Sequence, residues 1–218
     1  MRKNLHIALY FISAIFTCML LSCAGSKEEV QDTATMVEYS TTPIINDNKL
    51  EEAFETDTLS DEQLNVFQQR ARQKVQDFIN YIEIISNKTY DAQMRLLARN
   101  QIEELFADSS VLVTISIAEG KINPKPVSVF LNDVYQSEYD SIKIKTDFIV
   151  VTQPKIANET ATYIGFIRVK LNIVGYKNAQ ISFNSHAVHE AKTIIRKTQK
   201  HFGEESRMIW TVMLGEWK

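Results

Sequence analysis

From Leu64 to Ile85 apolar residues recur at spacings of three and four: Leu64, Phe67, Ala71, Val75, Phe78, Ile79, Ile82 and Ile85. That is the buried stripe of one long amphipathic helix. Ser60 stands where its N-cap belongs, with Gln63 three residues on and Asp61 and Glu62 in the first turn, the pattern of a capping box over a favourable dipole end. Asn87-Lys88 breaks the period. A second helix is expected from Tyr90 to Phe106, with Met94, Leu97, Ala98, Ile102, Leu105 and Phe106 on its packed face.

The period then shortens to two. Val111, Val113, Ile115 and Ile117 alternate with Leu112, Thr114, Ser116 and Ala118, which reads as a strand. Pro124-Lys125-Pro126 restarts the chain, and Val127, Phe130, Leu131 and Val134 at helical spacing predict a short helix to Tyr135. Ile142, Ile144, Thr146, Phe148 and Val150 form one face of a second strand that stops at Pro154. Tyr163, Gly165, Ile167, Val169, Leu171 and Ile173 form one face of a third. Residues 178–185 read as a loop. The stretch from Ala191 to Phe202 has Lys192, Ile194, Arg196, Thr198, Lys200 and Phe202 on one side, and its β-branched residues favour a strand over a helix. After the turn at Gly203-Glu204-Glu205-Ser206, a last strand runs from Met208 to Gly215, with Trp210, Val212 and Leu214 facing the core.

Two helices, a strand, a short helix and then long antiparallel strands define an α+β chain with N-terminal helices packed on a curved antiparallel sheet. In order and pattern, residues 61–218 resemble the nuclear transport factor 2-like superfamily, down to the tryptophan in Ile209-Trp210-Thr211-Val212-Met213-Leu214-Gly215-Glu216. The resemblance implies a cone in which the sheet wraps the long helix; a cystatin-like cone with fewer helices is the nearest alternative. Such folds host dehydratases, isomerases, binding modules and assembly subunits, so the fold alone names no activity.

Upstream of residue 61 the text changes character. Arg2-Lys3 precedes an apolar run from Leu5 to Leu21, and Leu20-Leu21-Ser22-Cys23 closes it. The run is short for a membrane span and has the layout of a removed export signal. Its ending resembles the lipidation signal of bacterial lipoproteins: a small residue before the cut, and a thiol to take the lipid at the first mature position. Cys18, preceded by Phe16-Thr17, does not fit. Residues 1–22 are therefore expected to be a signal peptide, and Cys23 the lipidated residue, fixing the protein to a membrane. Ala24 replaces the aspartate of inner-membrane retention, which implies the outer membrane. Residues 23–60 are acidic and polar with no sustained period, a flexible tether. Within them, Ser26-Lys27-Glu28-Glu29 resembles the surface-export signal of Bacteroidetes lipoproteins, carried by Lys27, Glu28 and Glu29. Asp32-Thr33-Ala34, Asp57-Thr58-Leu59 and Asp140-Ser141-Ile142 match the O-glycosylation pattern of that phylum, making Thr33, Thr58 and Ser141 candidate acceptors.

Losing Arg2 and Lys3 takes the formal charge from −3 to −5. A mildly acidic chain without a basic block offers no footprint for nucleic acid. With Cys23 acylated and Cys18 removed, no disulfide can form within the mature chain, so its core carries the fold. Candidate chemistry is sparse. His186-Ala187-Val188-His189-Glu190 would place two imidazoles on one helical face for a metal, but no further Asp, His or Cys stands out to complete the set; a partly packed loop is the plainer reading. His201 beside Lys200 is expected to be exposed. Tyr81, Tyr90, Tyr135, Tyr163, Asp147 and Trp210 are the candidates for a site inside a cone. Tyr and Trp at core spacing are more often packing residues, and Asp147 lies opposite Phe148, on the outward face. Lys143, Lys145, Arg168 and Lys170 share one outward sheet face, either a solvated surface or a dock for an acidic partner. There is no Gly-x-Ser-x-Gly, no glycine-rich phosphate loop and no Cys/His pair. No metal, cofactor or catalytic set is assigned. The expectation is a non-enzymatic envelope lipoprotein with a protein partner; the alternative is a small-molecule-binding or acid–base site inside the cone.

Overall fold

The computed structural model describes residues 58–118, 123–157 and 161–218. Cys23, Lys27, Glu28, Glu29 and Thr33 lie outside the described residues. The first helix, α1 (Asp61–Ser86), begins on the capping box read from the sequence: Ser60 Oγ accepts from Gln63 N–H, and Gln63 Oε1 accepts from Ser60 N–H. All eight residues of its apolar stripe are buried. Leu59 is also buried, and its N–H donates to the Tyr163 hydroxyl at 2.8 Å.

α2 (Ala92–Glu103) is shorter than expected at both ends: Asp91 caps its start by accepting from Met94 N–H, and Glu104 is its C-cap. Ala98, Ile102, Leu105 and Phe106 are buried as expected, whereas Met94 and Leu97 face solvent. α2 packs only its C-terminal half. β1 (Leu112–Val113) corrects the long strand expected from Val111 to Ile117. Alternation sets the inward side, and Val113 and Ile115 are buried, but a strand also needs a neighbour. β1 meets β2 (Lys125–Pro126) at two residues and the last strand, β7 (Glu205–Trp217), only at Val113 opposite Trp217. α3 (Val127–Tyr135) has the expected bounds and buries Val127, Phe130, Leu131 and Val134.

The sheet is built from β3 (Ser141–Val151), β4 (Lys155–Ile156), β5 (Tyr163–Lys177), β6 (Gln180–Phe202) and β7 (Glu205–Trp217). Its order is β2-β1-β7-β6-β5-β3, with β4 also on β5; every pairing is antiparallel except β1 with β7. Residues 178–185 are not a loop. A two-residue turn at Asn178-Ala179 launches β6 at Gln180, which pairs with β5 from there, interrupted by a one-residue bulge at Ser182.

Three bulges change which residues point inward. Near the start of β6 the pairing jumps from Tyr176–Ile181 to Gly175–Phe183, so Ile181 faces out and Phe183 in. In β3 an extra residue between Phe148 and Val150 turns Val151 toward the core and leaves Val150 exposed, correcting the inward place expected for Val150. In β7 the pairing jumps from Thr193–Leu214 to Ala191–Trp217, so Trp217 joins Trp210, Val212 and Leu214 in the core while Glu216 faces out. The core therefore lies between the inward face of the sheet and the stripe of α1, closed at one end by α2 and α3.

Candidate functional site

Phe78, midway along α1, occupies the centre of that interior. Its ring lies 4.6 Å from Trp217, 5.2 Å from Phe106 and 6.2 Å from Phe130, centroid to centroid. Tyr163 and Trp210 meet edge-on at 5.7 Å nearby. These are the geometries in which aromatic rings pack favourably. These rings fill the part of the interior around Phe78.

Only Ser86, His189 and Thr193 are buried polar or charged residues among the described residues, so no carboxylate stands inside. Ser86 Oγ accepts from Ile142 N–H and donates to Glu83 O. His189 comes from the inward face of β6, opposite Val169, and is 6% exposed. Burial pushes its imidazole below the ordinary value, opposed by the Lys218 and Thr114 carbonyls. Its Nδ1 and the Trp217 Nε1 have no hydrogen-bond partner. A neutral imidazole without a carboxylate to orient it lacks the second member of an acid–base pair.

The residues singled out from the sequence do not converge. His186 and His189, three apart on one strand, point to opposite faces, and Glu190 faces outward with His186. The strand geometry excludes the shared helical metal face considered for them. Tyr163 spends its hydroxyl on Leu59 N–H. Tyr135 is half-buried under the Arg95 guanidinium, 4.3 Å from the ring centroid, and Arg95 also bonds the Tyr135 carbonyl. Tyr90 and Asp147 are exposed and Tyr81 is half-buried on α1. Trp210 is a core residue. Lys143, Lys145, Arg168 and Lys170 all face solvent, with Lys143 paired to Glu83 and Asp147 opposite Lys170. His201 is exposed and bonds Ser206; of the candidate acceptors, Thr58 is exposed and Ser141 half-buried at the start of β3.

A cleft that sequence reasoning missed opens between β1, α3 and the segment leading to β3, with a volume of about 320 Å³. Val113, Ile115, Phe130 and Tyr139 form its apolar floor. Lys125 and Asp133 pair at its rim, 2.5 Å apart, and Glu138 is held by Lys177 at 2.5 Å. That last contact pulls the Glu138 carboxyl below and the Lys177 ammonium above their ordinary ranges. Its charges are satisfied by each other. No sequence motif marks such a cleft, because it is assembled from segments far apart in the chain.

Among the described residues no helix is long and apolar enough to cross a membrane. No family model matches the chain, and no curated protein matches it. Among solved structures, the chain is similar to a crystal structure assigned as a scytalone dehydratase of Novosphingobium aromaticivorans. The identity is 9% and the TM-score 0.33, over 71% of this chain and 89% of that one. A likeness that low carries no argument for either fold or activity.

Proposed function

We propose that the chain is an outer-membrane lipoprotein anchored through Cys23, whose domain is a non-enzymatic interaction or accessory module of the cell envelope. Leu20-Leu21-Ser22-Cys23 after a basic start and an apolar run supports the anchor. Ser26-Lys27-Glu28-Glu29 supports display at the cell surface. The finer fold within the α+β class is a cone of the nuclear transport factor 2-like kind, supported by element order: long helix, second helix, short helix, then long antiparallel strands.

The observation that carries the non-enzymatic half is the packed interior. Phe78, Phe106, Phe130 and Trp217 stand where a cone enzyme would hold its substrate, and among the described residues no buried carboxylate accompanies His189. The second reading, a small-molecule site, is favoured only by the cleft over Phe130 and Tyr139, whose size is near the lower end for ligand pockets.

Feeding cells an alkyne-tagged fatty acid tests the anchor: the wild-type chain takes up label and Cys23→Ala does not. Label retained by Cys23→Ala would sink the assignment. Protease added to intact cells tests the display signal. Replacing Lys27, Glu28 and Glu29 by Ala should protect the domain, and equal cleavage of both forms would count against it.

A further inference from the structure

β5 ends its pairing with β6 at Tyr163 opposite Ile195, and β7 meets the α2–β1 segment no earlier than Leu214. Between these points β6 and β7 continue as a two-stranded ribbon, paired from Arg196–Thr211 to Phe202–Glu205. The turn at its tip is tight, with Gly203 at a φ of +65°, a backbone that only glycine adopts freely. Every residue from 199 to 208 is exposed. Two of them are large and apolar: Phe202 at 56% and Met208 at 51%. Met208 pairs with Gln199 and Phe202 with Glu205, so the two point to opposite faces of the ribbon, Phe202 on the face that carries Arg196 and Lys200. Leaving that aromatic ring in water forfeits the burial it would gain in a contact.

The charges around them have a sign. Arg196, Lys197, Lys200 and Arg207 stand against Glu204 and Glu205, and Arg207 already pairs with Glu205 at 2.7 Å. Arg196 and Lys200 make no ion pair among the described residues. The position of the ribbon completes the picture. Tyr163, opposite Ile195 at the ribbon base, bonds Leu59 N–H, and its ring packs on Trp210. The chain that leads back to the anchor thus joins the domain at the root of the ribbon.

We propose that this tip is a lipid-surface contact: Phe202 enters the boundary between headgroups and acyl chains while Arg196 and Lys200, on the same face of the ribbon, lie on anionic phosphates. An aromatic wedge rimmed by cations is the chemistry of interfacial binding. The proposal rests on the anchored reading only in that the anchor supplies a nearby surface. The ribbon would then fix the orientation of a domain that the tether alone leaves free to turn.

The test does not need cellular lipidation. Cys23 is the sole cysteine of the chain from residue 23 onward, so its thiol can be coupled to a maleimide lipid in vesicles of phosphatidylcholine and phosphatidylglycerol. Phe202→Trp places an indole at the tip, and the native Trp210 and Trp217 are buried. The introduced indole should shift to shorter wavelength and be quenched by brominated acyl chains, and adding Lys200→Glu should abolish the quenching. With the uncoupled chain, Lys200→Ala should lower partition onto phosphatidylglycerol vesicles about fivefold, the effect of one cation near an anionic surface. An indole that stays solvent-exposed and unquenched on the coupled chain would overturn the proposal, whatever Cys23 proves to carry in cells. So would quenching equal in pure phosphatidylcholine and unchanged by Lys200→Glu, and so would a tip shielded by self-association without vesicles.

Discussion

Ala179 holds φ at +60° beside Asn178 at +51° in the turn between β5 and β6. A two-residue hairpin with both central residues left-handed favours Asn-Gly, because a Cβ is strained there. Ala179→Gly should therefore stabilise the domain by about 1 kcal/mol, read as a rise in Tm, and a fall in Tm would refute the turn geometry. Trp210, 2% exposed and packed on Tyr163, is a core residue of β7. Trp210→Ala should cost about 3–5 kcal/mol, close to the whole margin of a small domain. An unchanged melting midpoint would make it a ligand-stacking residue instead. Trp210 was legible because it alternates with Val212 and Leu214. Trp217 was not, since continuing that alternation puts Glu216 inside; only the bulge in β7, invisible in residue types, reverses it. His189 was hidden differently. Its strand carries Asn184, Ser185 and His186, which look like a loop until Phe183, Ala187, Ala191 and Ile195 are seen on one face.

At the scale of elements, α1 both covers the inward face of the sheet and guards its edge. β3 is an outer strand, with N–H groups that would otherwise invite another chain. Ile142 N–H donates to Ser86 Oγ at 3.0 Å and Ile144 N–H to Glu83 Oε1 at 2.6 Å, while Gln68 bonds the Val151 carbonyl. The helix therefore needs polar residues at chosen places beside its apolar stripe. Ser86→Ala leaves the Ile142 N–H buried and unpaired, which should cost about 1–3 kcal/mol; denaturant unfolding measures it, and a change below error would mean the edge is sealed otherwise. Elements with an unbroken period were the readable ones: α1 and α3 nearly to the residue, and β5 from its start at Tyr163, though it runs past the expected end at Val174 to Lys177. The failures share a cause: α2 and β1 are limited by what lies next to them. Met94 and Leu97 carry the helical period, yet nothing covers that half of α2. Val111 to Ile117 carry the strand period, yet β7 offers them a single partner.

For the molecule as a whole, two properties follow from a sealed interior without a disulfide to reinforce it. The first is a pH dependence. Burial holds His189 below its ordinary 6.5, so between its folded value and 6.5 the unfolded chain binds a proton that the folded chain refuses. Stability is then complete above about pH 6.5 and falls as the pH drops through that window. Tm measured from neutral to mildly acid pH should decline more steeply for the wild type than for His189→Gln; parallel curves would show that His189 does not titrate on unfolding. The second belongs to the proposed reading: with its interior packed, the domain would act through its surface, and the proposed anchor at Cys23 would decide which surface it meets. The candidate site inside the cone was only half legible, because the sequence names Tyr163 and Trp210 but not the rings that fill the space around Phe78. The anchor reading depends on a few contiguous residues and none of this packing, and intact-mass analysis of the protein extracted from membranes tests it directly. The account predicts a chain that begins at Cys23 and carries the mass of a diacylglyceryl modification on that residue; a chain beginning at Met1, or one with an unmodified Cys23, would contradict it.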